Sequence, residues 1–289
     1  MIFEESYTLH NGVAIPKLAL GTWFIDDDKA AEAVRTAVNI GYRHIDTAQA
    51  YGNERGVGEG IRTCGVDRTG IFVTSKVAAE NKSYASAMES IEKTLETMGL
   101  NYLDMMIIHS PQPWVEVNQS EDRYYKENRE VWRALEDALE AGKLRAIGVS
   151  NFLEGDLENI FAGCRVKPMV NQILCHVGNS PLDLIDYCRK RDIVVEAYSP
   201  VAHGEALEFI TGIGGDDAQG EGFVGSHGEG QCPVGGIEIG VARIETQARF
   251  GVGFALDFEP GVDDGAAIGE DTVLALHVVL RSEGTCGVN

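Results

Sequence analysis

Asp46 and Tyr51 stand five places apart in HIDTAQAYGNE (residues 44–54), just past a short apolar run. Lys76 stands next to last in the run FVTSKV, and His109 stands near the end of YLDMMIIHS. A free phenol loses its proton near pH ~10 and a free lysine near ~10.4, so tyrosine alone is a poor acid at neutral pH. A neighbouring ammonium favours the phenolate and makes the phenol a better donor. Asp46 would keep Lys76 charged and oriented, and His109 would offer an N–H to a substrate oxygen. Such a tetrad protonates an oxyanion as it forms on a carbonyl, which is what hydride delivery to an aldehyde or ketone requires. Each residue alone has an ordinary reading, Tyr51 as a loop aromatic and Lys76 as a solvated strand end.

The elements that must position them follow a rhythm. Apolar runs at 18–21, 43–46, 71–77, 102–110, 144–151, 169–173 and 192–199 are separated by stretches with helical spacing. Lys29–Ile40, Tyr84–Met98 and Asn128–Glu140 each carry apolar residues on one side. Strand–helix alternation implies parallel strands covered by helices. Seven units at spacings of roughly 25–40 residues predict an α/β fold of the (β/α)8 barrel type rather than a doubly wound sheet. Ahead of them Tyr7–His10 and Val13–Ile15 flank Asn11-Gly12, which predicts a β-hairpin with a two-residue type I′ turn plugging the barrel's N-terminal end. Asp46, Lys76, His109, Ser150, Asn151, Gln172, Tyr198 and Ser199 all fall at or near the C-terminal end of their runs, where a barrel keeps its chemistry.

The composition narrows the partners. With 44% hydrophobic and 24% charged residues the chain is of soluble globular type. A formal net charge of −21 argues against nucleic acid, whose phosphates need a surplus of Lys and Arg. The N-terminus lacks the pattern of a secretory signal, and no stretch approaches the ~18 apolar residues of a membrane helix. Six scattered cysteines without a CxxC pair read as reduced thiols of a cytoplasmic protein. The expected partner is a small-molecule carbonyl; no protein partner is implied.

The motifs GYRHIDTAQAYGNE, FVTSKV, YLDMMIIHSPQPW, GVSNF, VNQI and VEAYSP, in that order over about residues 5–205, resemble the aldo-keto reductase superfamily, in its branch of small bacterial aldehyde and diketo-acid reductases. The resemblance implies Tyr51 as general acid, Asp46 and Lys76 as its tuning pair and His109 as the substrate-orienting residue. It also implies NADPH as cofactor, with NADH as the alternative. Ser150, Asn151 and Gln172 would bond the carboxamide, Tyr198 would stack on the nicotinamide ring, and Ser199 would open the pyrophosphate loop. Thr22 would lie near the ribose beside Asp46, and Trp23 and Trp114 would wall the substrate pocket. Many members carry a tryptophan after the histidine; Ser110 here implies a more open or more polar pocket. No metal is expected: His44-x-Asp46 has metal-site spacing but no companion histidines. Lys76 as a Schiff-base lysine is the aldolase alternative.

The chain changes character after about residue 205. Residues 204–289 hold 19 of the 34 glycines, no Lys, Tyr or Trp, and three arginines against fifteen acidic residues. That level of Gly and Pro approaches low complexity. The expected division is therefore 1–205 as the reductase-like barrel with strands one to seven, and 206–289 as a glycine-rich acidic segment. The segment is frameshifted near Ala206–Glu208, disordered, or a divergent module. The GxGxxG at Gly220, Gly222 and Gly225 lacks a preceding strand and is a chance match. No helix, eighth strand and final helix can be found in order after residue 205, which predicts a barrel missing its eighth strand, with open edges on strands one and seven; TVLALHVVLRS (272–282) is the alternative, as an eighth strand against that expectation. The Pro-Lys-Ser/Thr segment with which the family holds an adenosine phosphate is missing, which leaves a non-catalytic remnant as the alternative function. Translating the underlying DNA in its other frames is expected to restore that segment; its absence from every frame removes the frameshift reading.

Overall fold

The computed structural model describes residues 2–117, 119–176, 179–200 and 275–280. The junction near 205, the glycine motif at 220–225 and the rest of 206–289 apart from 275–280 lie outside the described residues.

The expected hairpin forms from β1 (Ser6–Thr8) and β2 (Ala14–Pro16). Its turn differs from the expectation. Thr8 pairs with Ala14, and the Leu9 N–H donates to Val13 O at 2.8 Å, so the loop is the three residues 10–12. Gly12 has φ +87° while Asn11 is not left-handed. A type I′ turn needs positive φ at both central positions; one left-handed glycine gives the three-residue loop with a bulge instead. Leu9 and Ile15 are buried, and Asn11 Nδ2 donates to Arg145 O at 2.9 Å, at the start of a barrel strand. The hairpin therefore plugs the N-terminal end as expected.

Seven parallel strands follow, each paired with the next: β3 (Leu18–Gly21), β4 (His44–Asp46), β5 (Phe72–Val77), β6 (Leu103–Ile108), β7 (Leu144–Ser150), β8 (Val170–Leu174) and β9 (Val194–Tyr198). Every residue of β5 and β6 is buried, since one face packs into the barrel and the other under helices. The eighth position is taken by β10 (Ala275–Leu280), within the run 272–282, and the barrel closes. Its sense departs from a (β/α)8 barrel: β10 runs antiparallel to both neighbours, with Leu276 opposite Leu20 and Val279 opposite Glu196. Closure leaves β3 and β9 without open edges, which matters because unpaired edges invite aggregation.

Among the described residues six helices surround the strands: α1 (Asp27–Ile40), α2 (Glu54–Thr63), α3 (Tyr84–Met98), α4 (Tyr125–Glu140), α5 (Glu154–Phe161) and α6 (Leu182–Arg189). The three predicted from spacing are present, and α4 starts three residues earlier than expected. Asp27 and Asp28 favour the first turn of α1 through the helix dipole, and Ser83 caps α3 by accepting from the Ser86 N–H at 3.2 Å.

Helix α2 went unseen because ERGVGEGIRT contains three glycines, each costing about 1 kcal/mol of helix propensity relative to alanine. The structure supplies the reason for them. A Cβ on Gly56 would lie 2.0 Å from Asp27 O, and one on Gly58 would lie 2.2 Å from Met98 O. The glycines let α2 lie against α1 and α3 backbone to backbone, immediately after the turn that carries Tyr51. Gly58→Ala is accordingly expected to lower stability by about 1–3 kcal/mol despite alanine's better propensity. Chemical denaturation of the two proteins checks this; an unchanged or raised midpoint refutes it.

Candidate active site

The parallel strands all point their C-terminal ends to one mouth, and the predicted residues gather there. Asp46 ends β4, and Tyr51 ends a 3-10 turn (Gln49–Tyr51) a few residues on. Lys76 is next to last in β5, and His109 follows β6 directly. Lys76 Nζ forms a salt bridge with Asp46 Oδ1, both side chains lying essentially out of solvent. The same nitrogen donates to Thr47 O at 2.9 Å and to Tyr51 Oη at 3.3 Å. The second Asp46 oxygen accepts from Gln172 Nε2 at 3.0 Å. Tyr51 meets the His109 ring edge-on, with centroids 5.6 Å apart, and His109 meets Trp114 at 4.9 Å. The four predicted catalytic residues are thus one cluster.

The electrostatics refine the expectation. Burial pushes the Tyr51 phenol up, Lys76 pulls it down, Asp46 pushes it up again, and the net direction is up. The ammonium therefore restrains a rise instead of producing the net lowering expected from sequence. Burial pulls the Lys76 ammonium down, but Asp46, assisted by Tyr51 and Glu196, outweighs it, and Lys76 holds its proton above the ordinary lysine range. Such an ammonium is held away from the neutral amine a Schiff base needs, which weighs against the aldolase alternative. The His44 ring bonds Thr74 Oγ1 at 2.8 Å and lies edge-on to Phe72, occupied in the barrel wall.

The residues expected to hold the nicotinamide also share this mouth. Ser150 ends β7, and Asn151 beside it adopts φ +60°. Asn151 Nδ2 donates to His109 O and Ser150 Oγ, each at 3.1 Å, and its Oδ1 accepts from Tyr198 Oη at 2.9 Å. Tyr198 ends β9, and Ser199 follows with φ +50°. Thr22 is buried, its N–H donating to Asp46 O at 3.0 Å; its Oγ1 has no hydrogen-bond partner among the described residues. Amide, hydroxyl and aromatic groups of this kind, with one hydroxyl left over, suit the carboxamide and ring of a nicotinamide. The amide nitrogen of Gln172 is bonded to Asp46, just as both ends of the Asn151 amide are bonded within the mouth. Trp23 and Trp114 are 43% and 40% exposed at the mouth, with Trp23 6.5 Å from Tyr51. Ser110, expected to leave a more open or more polar pocket, is fully buried, and its Oγ accepts from the Gln112 N–H at 3.3 Å.

Three contributors were missed in the sequence. Gln49 ties the Tyr51 turn to its surroundings, accepting from the Ala78 N–H at 2.9 Å and donating to Ser90 O and Thr94 Oγ1 at 3.1 Å. Asn53 binds Thr22 O at 2.8 Å and Ile25 O at 2.9 Å while accepting from Thr47 Oγ1 at 2.8 Å. Glu196 is buried opposite Gln172 in register and acts electrostatically on Tyr51 and Lys76. Glu196 could have been found, since it precedes Tyr198 by two on a strand and so shares its face.

Comparison with known proteins agrees with this geometry. The sequence model of the aldo/keto reductase family matches residues 17–216, running somewhat past the change at 205. A glyoxal reductase of Bacillus subtilis is 41% identical over 206 residues, covering 71% of this chain and 70% of that protein. A 9,11-endoperoxide prostaglandin H2 reductase of Trypanosoma cruzi is 42% identical over 199 residues, covering 68% and 66%. Among solved structures, an aldo/keto reductase from Brucella melitensis superposes with TM-score 0.65 at 38% identity, over 72% of this chain and 76% of that one. A Bombyx mori aldo-keto reductase in complex with NADP gives 0.60 at 32% identity, over 68% and 66%. The chain thus spans about two thirds to three quarters of the length of these relatives. Among the described residues, no helix is long and apolar enough to cross a membrane.

Removing one partner of a buried ion pair strands the other charge, at a cost of about 3–5 kcal/mol. Lys76→Met should show that loss, and adding Asp46→Asn should recover much of it. Because the folded protein binds the Lys76 proton more tightly than the unfolded chain does, the pair's contribution is complete below ~10.4 and fades only as the pH rises through the raised value. Denaturant titrations of the single and double variants between pH 6 and 9 test this; equal losses in both would mean the pair is not coupled.

Proposed function

This chain belongs to the aldo/keto reductase family of nicotinamide-dependent oxidoreductases, and on that premise we propose that it reduces a small aldehyde or ketone to the alcohol, with Tyr51 as proton donor and NADPH as hydride source. NADH is the alternative donor. The observation that carries the reading is the position of Lys76 Nζ, within hydrogen-bond reach of Asp46, Thr47 O and Tyr51 Oη at once.

The residues divide the work. The bound nicotinamide would supply the hydride. Ser150 and Asn151 would bind its carboxamide, and Tyr198, tethered through its hydroxyl, would support the ring. His109, with its backbone carbonyl bonded to Asn151, would offer a ring N–H to the substrate oxygen and hold it beside Tyr51. As negative charge grows on that oxygen, Tyr51 gives up its proton, and the Lys76 ammonium stabilises the phenolate left behind. Asp46, Gln172 and Thr47 keep the ammonium aimed. Trp23 and Trp114 keep water from the reacting carbon. The glyoxal reductase relative suggests small dicarbonyls as the first substrates to try.

A phenol held above its ordinary value stays protonated across the neutral range. Reduction is therefore expected to persist to high pH and to decline only near or above pH ~10, as Tyr51 ionises. Tyr51→Phe should lose at least about 100-fold in turnover, the scale of a general acid, while its affinity for cofactor, read by fluorescence quenching, changes little. Turnover of small dicarbonyls with each cofactor provides the assay. Wild-type turnover that survives in Tyr51→Phe sinks the proton-donor role. An absence of saturable cofactor binding in the wild type supports the remnant reading.

A further inference from the structure

Lys82 stands outside the tetrad, in the 78–83 loop between β5 and α3, yet its ammonium is deep in polar company. Nζ donates to Ser110 O at 3.2 Å, to Pro111 O at 3.0 Å and to Asn128 Oδ1 at 3.0 Å. The first two acceptors follow His109 directly in the chain, and the third sits in α4. Burial drags this ammonium down to about 8, with the carboxylates of Glu80, Glu127 and Asp156 acting the other way. At pH 7 the nitrogen therefore still carries mainly three hydrogens, one for each acceptor.

The loop it grips, residues 110–124, is laced from within. Asn128 Nδ2 donates to Pro111 O at 2.9 Å and Arg123 O at 3.1 Å. Gln112 Nε2 spans the loop to Ser120 O at 2.8 Å and Asp122 O at 2.7 Å, and its oxygen accepts from Arg123. Arg123 is in turn fastened to the buried Asp156 of α5. Glu80, from the same loop as Lys82, accepts from the Trp114 N–H at 3.3 Å. Trp114 is the residue this loop presses edge-on against His109. The 78–83 loop also receives the Tyr51 turn, through the Ala78 N–H and Gln49.

We propose that Lys82 is a positioning residue, a brace whose ammonium locks the 110–124 loop onto the barrel mouth and so holds Trp114 against His109 as a fixed wall of the substrate pocket. Among the described residues Arg123 ties the loop outward to α5, whereas Lys82 ties its first two carbonyls inward, beside the reacting centre, holding Ser110 O and sharing Pro111 O with Asn128. Releasing the ammonium frees the Ser110 carbonyl and the Asn128 amide oxygen and leaves Pro111 O to Asn128 Nδ2, so the loop should open locally while the strands stay folded. The structural part of this inference stands by itself; only its kinetic part rests on the carbonyl-reductase reading.

Hydrogen–deuterium exchange on the full chain tests the structural part. In Lys82→Met, peptides from 110–124 are expected to exchange at least tenfold faster than in the wild type, while peptides from β8 and β9 are unchanged. Where Lys82→Met does not yield folded protein, Lys82→Gln, which keeps two N–H donors on a shorter arm, should show the same local pattern at smaller size. With a small aromatic aldehyde as substrate, the KM of Lys82→Met should rise about fivefold or more, with cofactor affinity and kcat within twofold. In a Trp114→Ala background the same substitution should no longer move KM, because the wall it positions is gone. Unchanged exchange in 110–124, or faster exchange spread evenly through the barrel, overturns the brace. Equal KM effects with and without Trp114 overturn its action through that wall. A wild type that turns over no carbonyl, with the local exchange result intact, overturns the reductase reading and leaves the brace standing.

Discussion

A lysine and an aspartate share the dry interior of the barrel mouth, and most of the site exists to make that tolerable. Taking an ammonium and a carboxylate out of water costs several kcal/mol each, and mutual attraction offsets this only when the remaining hydrogen-bonding capacity is also met. Here it is met: Thr47 O and Tyr51 Oη complete the Lys76 donors, and Gln172 completes Asp46. The pair then holds a positive charge beside a phenol buried among aromatic neighbours. Burial makes Tyr51 a reluctant acid, and the ammonium limits that reluctance at the atom where charge must develop.

The barrel supplies the orientation. Parallel strands present equivalent ends on one rim, so residues far apart in the chain, such as Asp46 and Gln172, meet without any local tendency to do so. At the rim the backbone turns sharply. Asn151 and Ser199, neither of them glycine, take left-handed conformations immediately after β7 and β9, where such strained positions are held only by firm surroundings. Asn151 has those surroundings in Ser150, His109 O and Tyr198.

Behind the reacting groups lies a tier of buried and half-buried polar side chains that touch no reacting atom. Gln49, Asn53, Lys82 and Asn128 each satisfy backbone groups of loops that would otherwise be free to move. Loops carry the chemistry of a barrel, and their precision comes from such cross-ties rather than from the strands. The three glycines of α2 act to the same end by steric means, letting the helix after Tyr51 sit close on α1 and α3.

Much of the molecule could be read without coordinates. Strand ends were legible because apolar runs of the right length finished on Asp46, Lys76, His109, Ser150 and Tyr198, and the periodicity of α1, α3 and α4 was plain. Helix α2 was not, because the reasons for its glycines are groups of α1 and α3 distant in the chain, the Asp27 carbonyl against Gly56 and the Met98 carbonyl against Gly58. Gln49, Asn53 and Lys82 were not, because a side chain's partner across a loop leaves no periodic mark. The hairpin was legible but its turn was not, since Asn11-Gly12 permits more than one loop length and the pairing of Leu9 with Val13 selects one. Residue types and their order determined the chemistry on offer, a carboxylate, an ammonium and an imidazole at the ends of successive strands with a phenol in the turn after the first of them. Only the folded barrel decided the net direction of the phenol's acidity, the commitment of Gln172 to Asp46 and the sense of the closing strand, because burial, close approach and pairing are properties of segments brought together, not of the segments themselves.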